Sequence, residues 1–149
     1  MKKLLVLFCS IVFAMNVDAQ KPNPVKWTFT AIKKSDKQYE VVASATIDAP
    51  WHMYSQFVSG GPIPTTFTFS KNPLIQLAGK TKEKGKLQKM YDKNFKTELS
   101  FFSDKVDFIQ TVNLKVASKT NLVGMVEYSI CNDDRCLPPA KVSFEVALN

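Results

Sequence analysis

Apolar and polar residues alternate along most of this chain. Tyr39, Val41, Ala43, Ala45 and Ile47 recur at every second position up to Asp48-Ala49-Pro50. Thr65, Phe67 and Phe69 repeat the pattern, as do Val106, Phe108, Gln110, Val112 and Leu114. So do Leu122, Gly124, Val126, Tyr128 and Ile130, and finally Val142, Phe144, Val146 and Leu148. Successive side chains of a strand point to opposite faces, so a period of two marks a strand with one buried face. Gly, Pro, Asn and Asp separate the runs, as turns between antiparallel strands require. No segment carries apolar residues at i, i+3, i+4 and i+7 through three helical turns. The pattern predicts an all-β fold, an antiparallel β-sandwich of roughly seven to nine strands in two sheets. Lys21-Pro22-Asn23-Pro24 reads as an extended leader into the first strand.

Three stretches break the alternation. Trp51 to Pro64 is rich in aromatics but interrupted by Gly60-Gly61-Pro62 and Pro64. Met90-Tyr91-Asp92-Lys93-Asn94-Phe95 is turn-like and carries two aromatics. Aromatics in such segments either plug an end of a sandwich or present a binding surface, and the pattern favours the plug. The third stretch, Lys80 to Lys89 with Gly79 and Gly85, reads as an exposed hairpin or loop.

The N-terminus changes the picture of where the domain works. Met1-Lys2-Lys3 precedes an apolar run from Leu4 to Met15, followed by Val17-Asp18-Ala19. A basic start, a short apolar core and small or apolar residues before the cleavage point make a secretory signal. The run falls well short of the ~20 residues that span a bilayer. Cleavage is expected after Ala19, leaving residues 20–149 as one domain with one core. Cys9 leaves with the signal. An exported domain, periplasmic or secreted, meets conditions in which disulfides form and persist.

The formal charge of the whole chain is +7. Its excess is scattered lysine, which reads as a solubilising surface or a steering field for an acidic partner. Nucleic acid is not an expected partner, since no recognition motif accompanies the charge.

Cys131 and Cys136 are then the cysteines of the mature chain, in Ile130-Cys131-Asn132-Asp133-Asp134-Arg135-Cys136-Leu137-Pro138-Pro139. They flank a polar, turn-forming tetrapeptide between two strand-like runs. Directly opposed strand residues lie about 4.5–5.5 Å apart at Cα, within disulfide range. A disulfide closing so short a loop contributes about 2 kcal/mol, against about 4.7 kcal/mol for a loop of 100 residues. Arg135 beside Cys136 would favour its thiolate, whereas Asp133 and Asp134 would oppose it. The residues alone leave a hairpin staple and a redox pair both open. With His52 as the only histidine, no four-ligand zinc set of familiar spacing is present. No metal or other cofactor is implied. A Cys–His nucleophile is conceivable, but a lone histidine beside Trp51 reads as a packed or surface residue.

The Cys131–Pro139 element, preceded by the strand Gly124–Ile130, resembles the redox loop of the N-terminal periplasmic domain of DsbD, the thiol:disulfide interchange protein. Trp51-His52-Met53-Tyr54-Ser55, Gly60-Gly61-Pro62-Ile63-Pro64-Thr65 and Tyr91-Asp92-Lys93-Asn94-Phe95 extend the likeness over roughly Val25 to Leu148. It implies an immunoglobulin-like sandwich whose cysteines shuttle electrons to or from thioredoxin-like or other periplasmic thiol proteins. It further implies that Cys136 forms the mixed disulfide with a partner and Cys131 resolves it. Phe95, with Tyr91, Asp92 and Asn94, would belong to a cap loop that covers the disulfide until a partner displaces it. Two departures stand out: a cysteine loop one residue shorter than usual, and Asn94 where an acidic residue usually precedes the cap aromatic. The chain stops at Asn149 with neither the membrane domain nor the thioredoxin-like domain of DsbD. A separate reductant, a thioredoxin-like protein or a separately encoded membrane electron transporter, is therefore expected. Whether such a module ranks as a protein-disulfide reductase in its own right is left open by the residues. The competing expectation is a non-enzymatic β-sandwich adaptor that binds through the Trp51–Pro64 segment and keeps the disulfide as a staple.

Overall fold

The computed structural model describes residues 23–93 and 95–149, so the expected signal segment and Asn94 lie outside the described residues. Eleven strands and no helix make up the described chain. They are β1 (Val25–Ser35), β2 (Gln38–Ile47), β3 (His52–Tyr54), β4 (Thr66–Phe69), β5 (Ile75–Gly85) and β6 (Gln88–Asp92). β7 (Thr97–Phe102), β8 (Lys105–Leu114), β9 (Thr120–Tyr128), β10 (Ile130–Cys131) and β11 (Ala140–Leu148) complete the set. Hydrogen bonding groups them in the orders β1-β2-β8-β5, β10-β3-β7-β6 and β11-β9-β4. All registered pairings are antiparallel. The fold is an immunoglobulin-like β-sandwich. It has more strands than the sequence pattern predicts, and three hydrogen-bonded sheets rather than two.

The alternating runs become the walls of the core. In β2 the residues Tyr39, Val41, Ala43, Ala45 and Ile47 are all buried, and β8 buries Val106, Phe108, Gln110, Val112 and Leu114. One cluster joins Ala45, Ile47, Val106 and Phe108 of the first sheet to Val126 and Tyr128 of β9 and to Met53, Phe102 and Ile130 of the small sheet. A second joins Tyr39, Val41, Val112 and Leu114 to Leu122, Phe144, Val146 and Leu148. The β10 and β11 sheets thus share the work of covering the first sheet. Each large apolar side chain so buried contributes about 1.5–3 kcal/mol.

Gln110 is the polar member of its run, yet it is only 3% exposed. It sits where the β5–β8 register shifts between Ala78 and Lys82. Its amide nitrogen donates to the Thr111 carbonyl at 2.9 Å, and its amide oxygen accepts from the Thr81 hydroxyl at 2.9 Å. The bulge thus gives a buried amide its partners, which removes the cost of burying it.

Three local readings are corrected. Lys80, Lys82 and Lys84 lie within β5, at the edge of the first sheet, rather than in a loop. Lysines on an edge strand hinder pairing with a foreign strand. His52–Tyr54, inside the irregular aromatic stretch, forms β3 between β10 and β7. The run from Leu122 to Ile130 is two strands, because the chain leaves the β9 sheet at Ser129 and enters the small sheet as β10.

Candidate functional site

The small sheet positions the cysteine turn. Register places Ile130 opposite Met53 and Cys131 opposite His52, while Met53 faces Phe102 and Tyr54 faces Phe101. Met90 then lies opposite Leu99, and Asp92 opposite Thr97. Side chains of opposed residues share a face, and neighbours along a strand alternate. Ile130, Met53 and Phe102 therefore enter the main core. Cys131, Tyr54 and Leu99 form a separate buried cluster with Val58, lined by Phe101.

Cys131 and Cys136 are joined by a disulfide with a Cα–Cα separation of 4.0 Å, and they form an isolated antiparallel bridge. The turn between them is held by its own polar groups. The Asn132 amide donates to the Arg135 carbonyl at 2.9 Å, and the Leu137 amide to the Ile130 carbonyl at 3.0 Å. The Asn132 side-chain oxygen accepts from the amides of Asp134 at 3.0 Å and Arg135 at 2.8 Å. This is the Asx-type turn that an asparagine at this position favours. The turn is thus closed by hydrogen bonds that do not involve the sulfurs.

The two cysteines differ sharply in access. Cys131 is 2% exposed, whereas Cys136 lies on the exposed side of the turn. A cavity of about 400 Å³ borders both. Across it stands the β6–β7 hairpin, which contributes Tyr91, Asp92 and Phe95 to the lining. The predicted cysteines and these predicted cap residues thus meet around one space, with Asn94 outside the described residues. Met90, Tyr91 and Asp92 belong to β6, so the turn itself is shorter than the turn-like sequence predicts. The Phe95 amide donates to the Asp92 carboxylate at 3.1 Å, and Lys96 takes a left-handed conformation at φ 54°. Tyr91 is 64% exposed and Phe95 44%, an unusual outlay of aromatic surface that favours contact with another molecule.

The charges around the turn are mixed. Asp92, Asp133 and Asp134 line the cavity together with Lys93 and Arg135. The Arg135 guanidinium lies 6.0 Å from the centre of the Trp51 ring, a cation–π arrangement. Burial raises the Tyr54 phenol above its ordinary value of 10.0, with Asp92 adding to the effect.

The placement of His52 beside Cys131 is what sequence reasoning missed. His52 is packed, as one expectation had it, at 7% exposure, but it is also the cross-strand neighbour of Cys131. Its Nε2 lies 3.1 Å from the Tyr54 hydroxyl, and its ring stands 4.8 Å from that of Phe101. Burial lowers its pKa below 6.5, against the opposing pull of Asp133 and Asp92. No local signal links positions so far apart in the chain. Only the pairing of β3 with β10 does.

Comparison with known proteins bears on this geometry. No curated protein matches the chain at a significant level. Among solved structures, it is similar to the reduced N-terminal domain of DsbD from Neisseria meningitidis, with a TM-score of 0.54 and 14% identity over 81% of this chain and 85% of that one. It is also similar to the N-terminal periplasmic domain of ScsB from Proteus mirabilis, with a TM-score of 0.59 and 13% identity, covering 85% of this chain and 47% of the other. A third structure is a complex between the DsbD N-terminal and PilB N-terminal domains of Neisseria meningitidis, matched with a TM-score of 0.52 and 14% identity over 86% and 87% of the two chains. At these identities the likeness is one of fold. The family model for the N-terminal part of the thiol:disulfide interchange protein DsbD matches residues 16–148, nearly the whole sequence, and the chain belongs to that family.

Proposed function

We propose that this chain is an exported thiol:disulfide exchange module working through a reversible Cys131–Cys136 disulfide. The observation that carries the reading is the asymmetry of the pair: an exposed Cys136 and a buried Cys131 beside one cavity. An incoming thiolate reaches the Cys136 sulfur, forms the mixed disulfide there and expels Cys131 as thiolate. In the reverse direction a Cys136 thiolate attacks a partner disulfide. Cys131 then attacks Cys136 and releases the partner as a thiolate, so two electrons leave this chain. Tyr91, Asp92, Asn94 and Phe95 form the cap in this account, and their aromatic surface receives the partner. A cap that must be displaced restricts access of stray thiols, one of the controls on exchange rate.

The partners proposed are thioredoxin-like or other periplasmic thiol proteins, with a membrane transporter as the source of electrons. Support for partners of this kind comes from the solved complex of the DsbD N-terminal and PilB N-terminal domains. Residues 1–19 are proposed to be the cleaved signal and residues 20–149 the periplasmic or secreted domain. The adaptor alternative retains one favourable observation, the 69% exposure of Phe57 in the Trp51–Pro64 segment.

Trapping tests the proposal. Cys131→Ser, incubated with a periplasmic extract and analysed by mass spectrometry, is expected to hold a thiol protein as a mixed disulfide on Cys136. The Cys136→Ser counterpart is expected to hold none. Equal trapping by both variants, or by neither, overturns the assignment of roles. A double Cys→Ser variant that keeps full partner binding favours the adaptor.

A further inference from the structure

Beside the sulfurs, the cavity contains one group whose ordinary pKa lies near neutrality. His52 and Cys131 are registered opposite one another on β3 and β10. Opposed residues carry their Cβ atoms about 5 Å apart on one face. Both are buried, at 7% and 2% exposure, and both line the cavity. His52 Nε2 lies 3.1 Å from the Tyr54 hydroxyl, and in the tautomer that carries its proton on Nε2 the Nδ1 lone pair is free to accept. No hydrogen bond engages Nδ1 among the described residues.

Resting on the exchange reading above, a chemical need arises at this point. Cys131 must lose its thiol proton before its sulfur can attack Cys136, yet burial opposes formation of a thiolate. We propose that His52 accepts the Cys131 proton as the mixed disulfide at Cys136 is resolved, and in the opposite direction takes a proton from the incoming partner thiol or from water and delivers it to Cys131 as it leaves.

The step balances. The Cys131 thiol and neutral imidazole become thiolate and imidazolium. The thiolate forms the Cys131–Cys136 bond as the bond from Cys136 to the partner sulfur breaks. The partner leaves with the electron pair as a thiolate, and the imidazolium passes its proton to that thiolate or to water in the cavity. The mixed disulfide is itself the electron acceptor, so no outside oxidant enters.

The surroundings suit both states of the ring. Its lowered pKa keeps it a neutral acceptor at rest. Asp133 of the cysteine turn and Asp92 of β6 favour the transient imidazolium, and Asp134, Lys93 and Arg135 are the other charged groups lining the cavity. Tyr54 of β3 remains a phenol, held so by burial and by Asp92. Tyr91 completes the titratable groups lining the cavity.

The test uses reduced protein and dithiobis(nitrobenzoate) in stopped flow, from about pH 5.5 to 9. Attack by Cys136 releases a first nitrothiolate, and resolution by Cys131 releases a second in a phase independent of probe concentration. In the wild type the second phase is expected to rise with pH only below 6.5, where His52 titrates, and to be level above it. In His52→Gln it is expected to be at least about tenfold slower at pH 7, a conservative share of the usual contribution of a positioned base. The variant should recover as pH rises past about 8.5, the ordinary thiol pKa. A merely structural role would slow the phase equally at every pH. Superimposable pH profiles overturn the proposal. A wild type that shows no second phase overturns the exchange reading instead.

Should His52→Gln fail to fold, the wild type answers alone, because its spectrum contains one histidine. In ¹⁵N-histidine NMR the imidazole is expected to titrate at a higher pH in the dithiol form, where a Cys131 thiolate can pair with it, than in the disulfide form. Identical titrations in the two forms overturn the proposal.

Discussion

Reduction of the Cys131–Cys136 disulfide should leave the domain folded and only modestly less stable. The cysteines are separated by 5 positions, so the cross-link closes a loop of about six residues. The loop-entropy expression then assigns it about 2 kcal/mol. Unfolding entropy of about 2.1 cal/mol/K per residue, over roughly 130 residues, converts this to a fall in Tm of about 8 °C. The same free energy, expressed as a potential, is about 45 mV between the native and the denatured chain. The turn should survive, because the Asn132–Arg135 and Leu137–Ile130 backbone bonds and the Asn132 side chain hold it independently of the sulfurs. The assay is thermal denaturation followed by circular dichroism, with and without a dithiol reductant, and with Cys131→Ser plus Cys136→Ser as control. A fall beyond about 15 °C, or loss of cooperative unfolding, would mean that the bond is a staple and refute the reasoning.

Phe95→Ala should open the cavity, so that reduction of the disulfide by glutathione accelerates by about three- to tenfold; an unchanged rate would remove Phe95 from the cap. His52 is held neutral by burial, with a pKa below 6.5. Between that folded value and 6.5 the unfolded chain binds more protons, so stability is complete above 6.5 and falls as pH drops through this window. Urea unfolding should accordingly show the wild type losing stability relative to His52→Gln below pH 6.5, and parallel curves would contradict the buried placement. Gly124 lies where β4 approaches β9, and a Cβ there would meet the Phe144 ring at 2.6 Å and the Thr68 carbonyl oxygen at 2.8 Å. Gly124→Ala should therefore cost about 2 kcal/mol in chemical denaturation, and a neutral result would show that the strands can separate freely.

The parts of the fold legible in the sequence are those in which one face alone is buried. β2, β8 and β11 alternate because a sandwich wall presents one face to the core and one to water. β5 is an edge strand with a register shift and several exposed residues on both faces, so its lysines hide the strand period. β3 is three residues long and buried at every position, which leaves no alternation to detect. The cysteine turn was legible because Asn132 and the Asp residues favour a local bend that needs no distant partner. The placement of His52 beside Cys131 was not, since it depends on strand pairing across most of the chain. Burial of Cys131 against Tyr54, Val58 and Leu99 was hidden for the same reason.

The reduction potential of the Cys131–Cys136 pair tests the central claim most directly. Equilibration in glutathione or dithiothreitol buffers, with thiols counted by alkylation and mass spectrometry, measures it. A module that exchanges electrons with thioredoxin-like partners should lie within the range of such oxidoreductases, between about −120 and −270 mV. A value well below about −300 mV, where structural disulfides resist reduction, would contradict it.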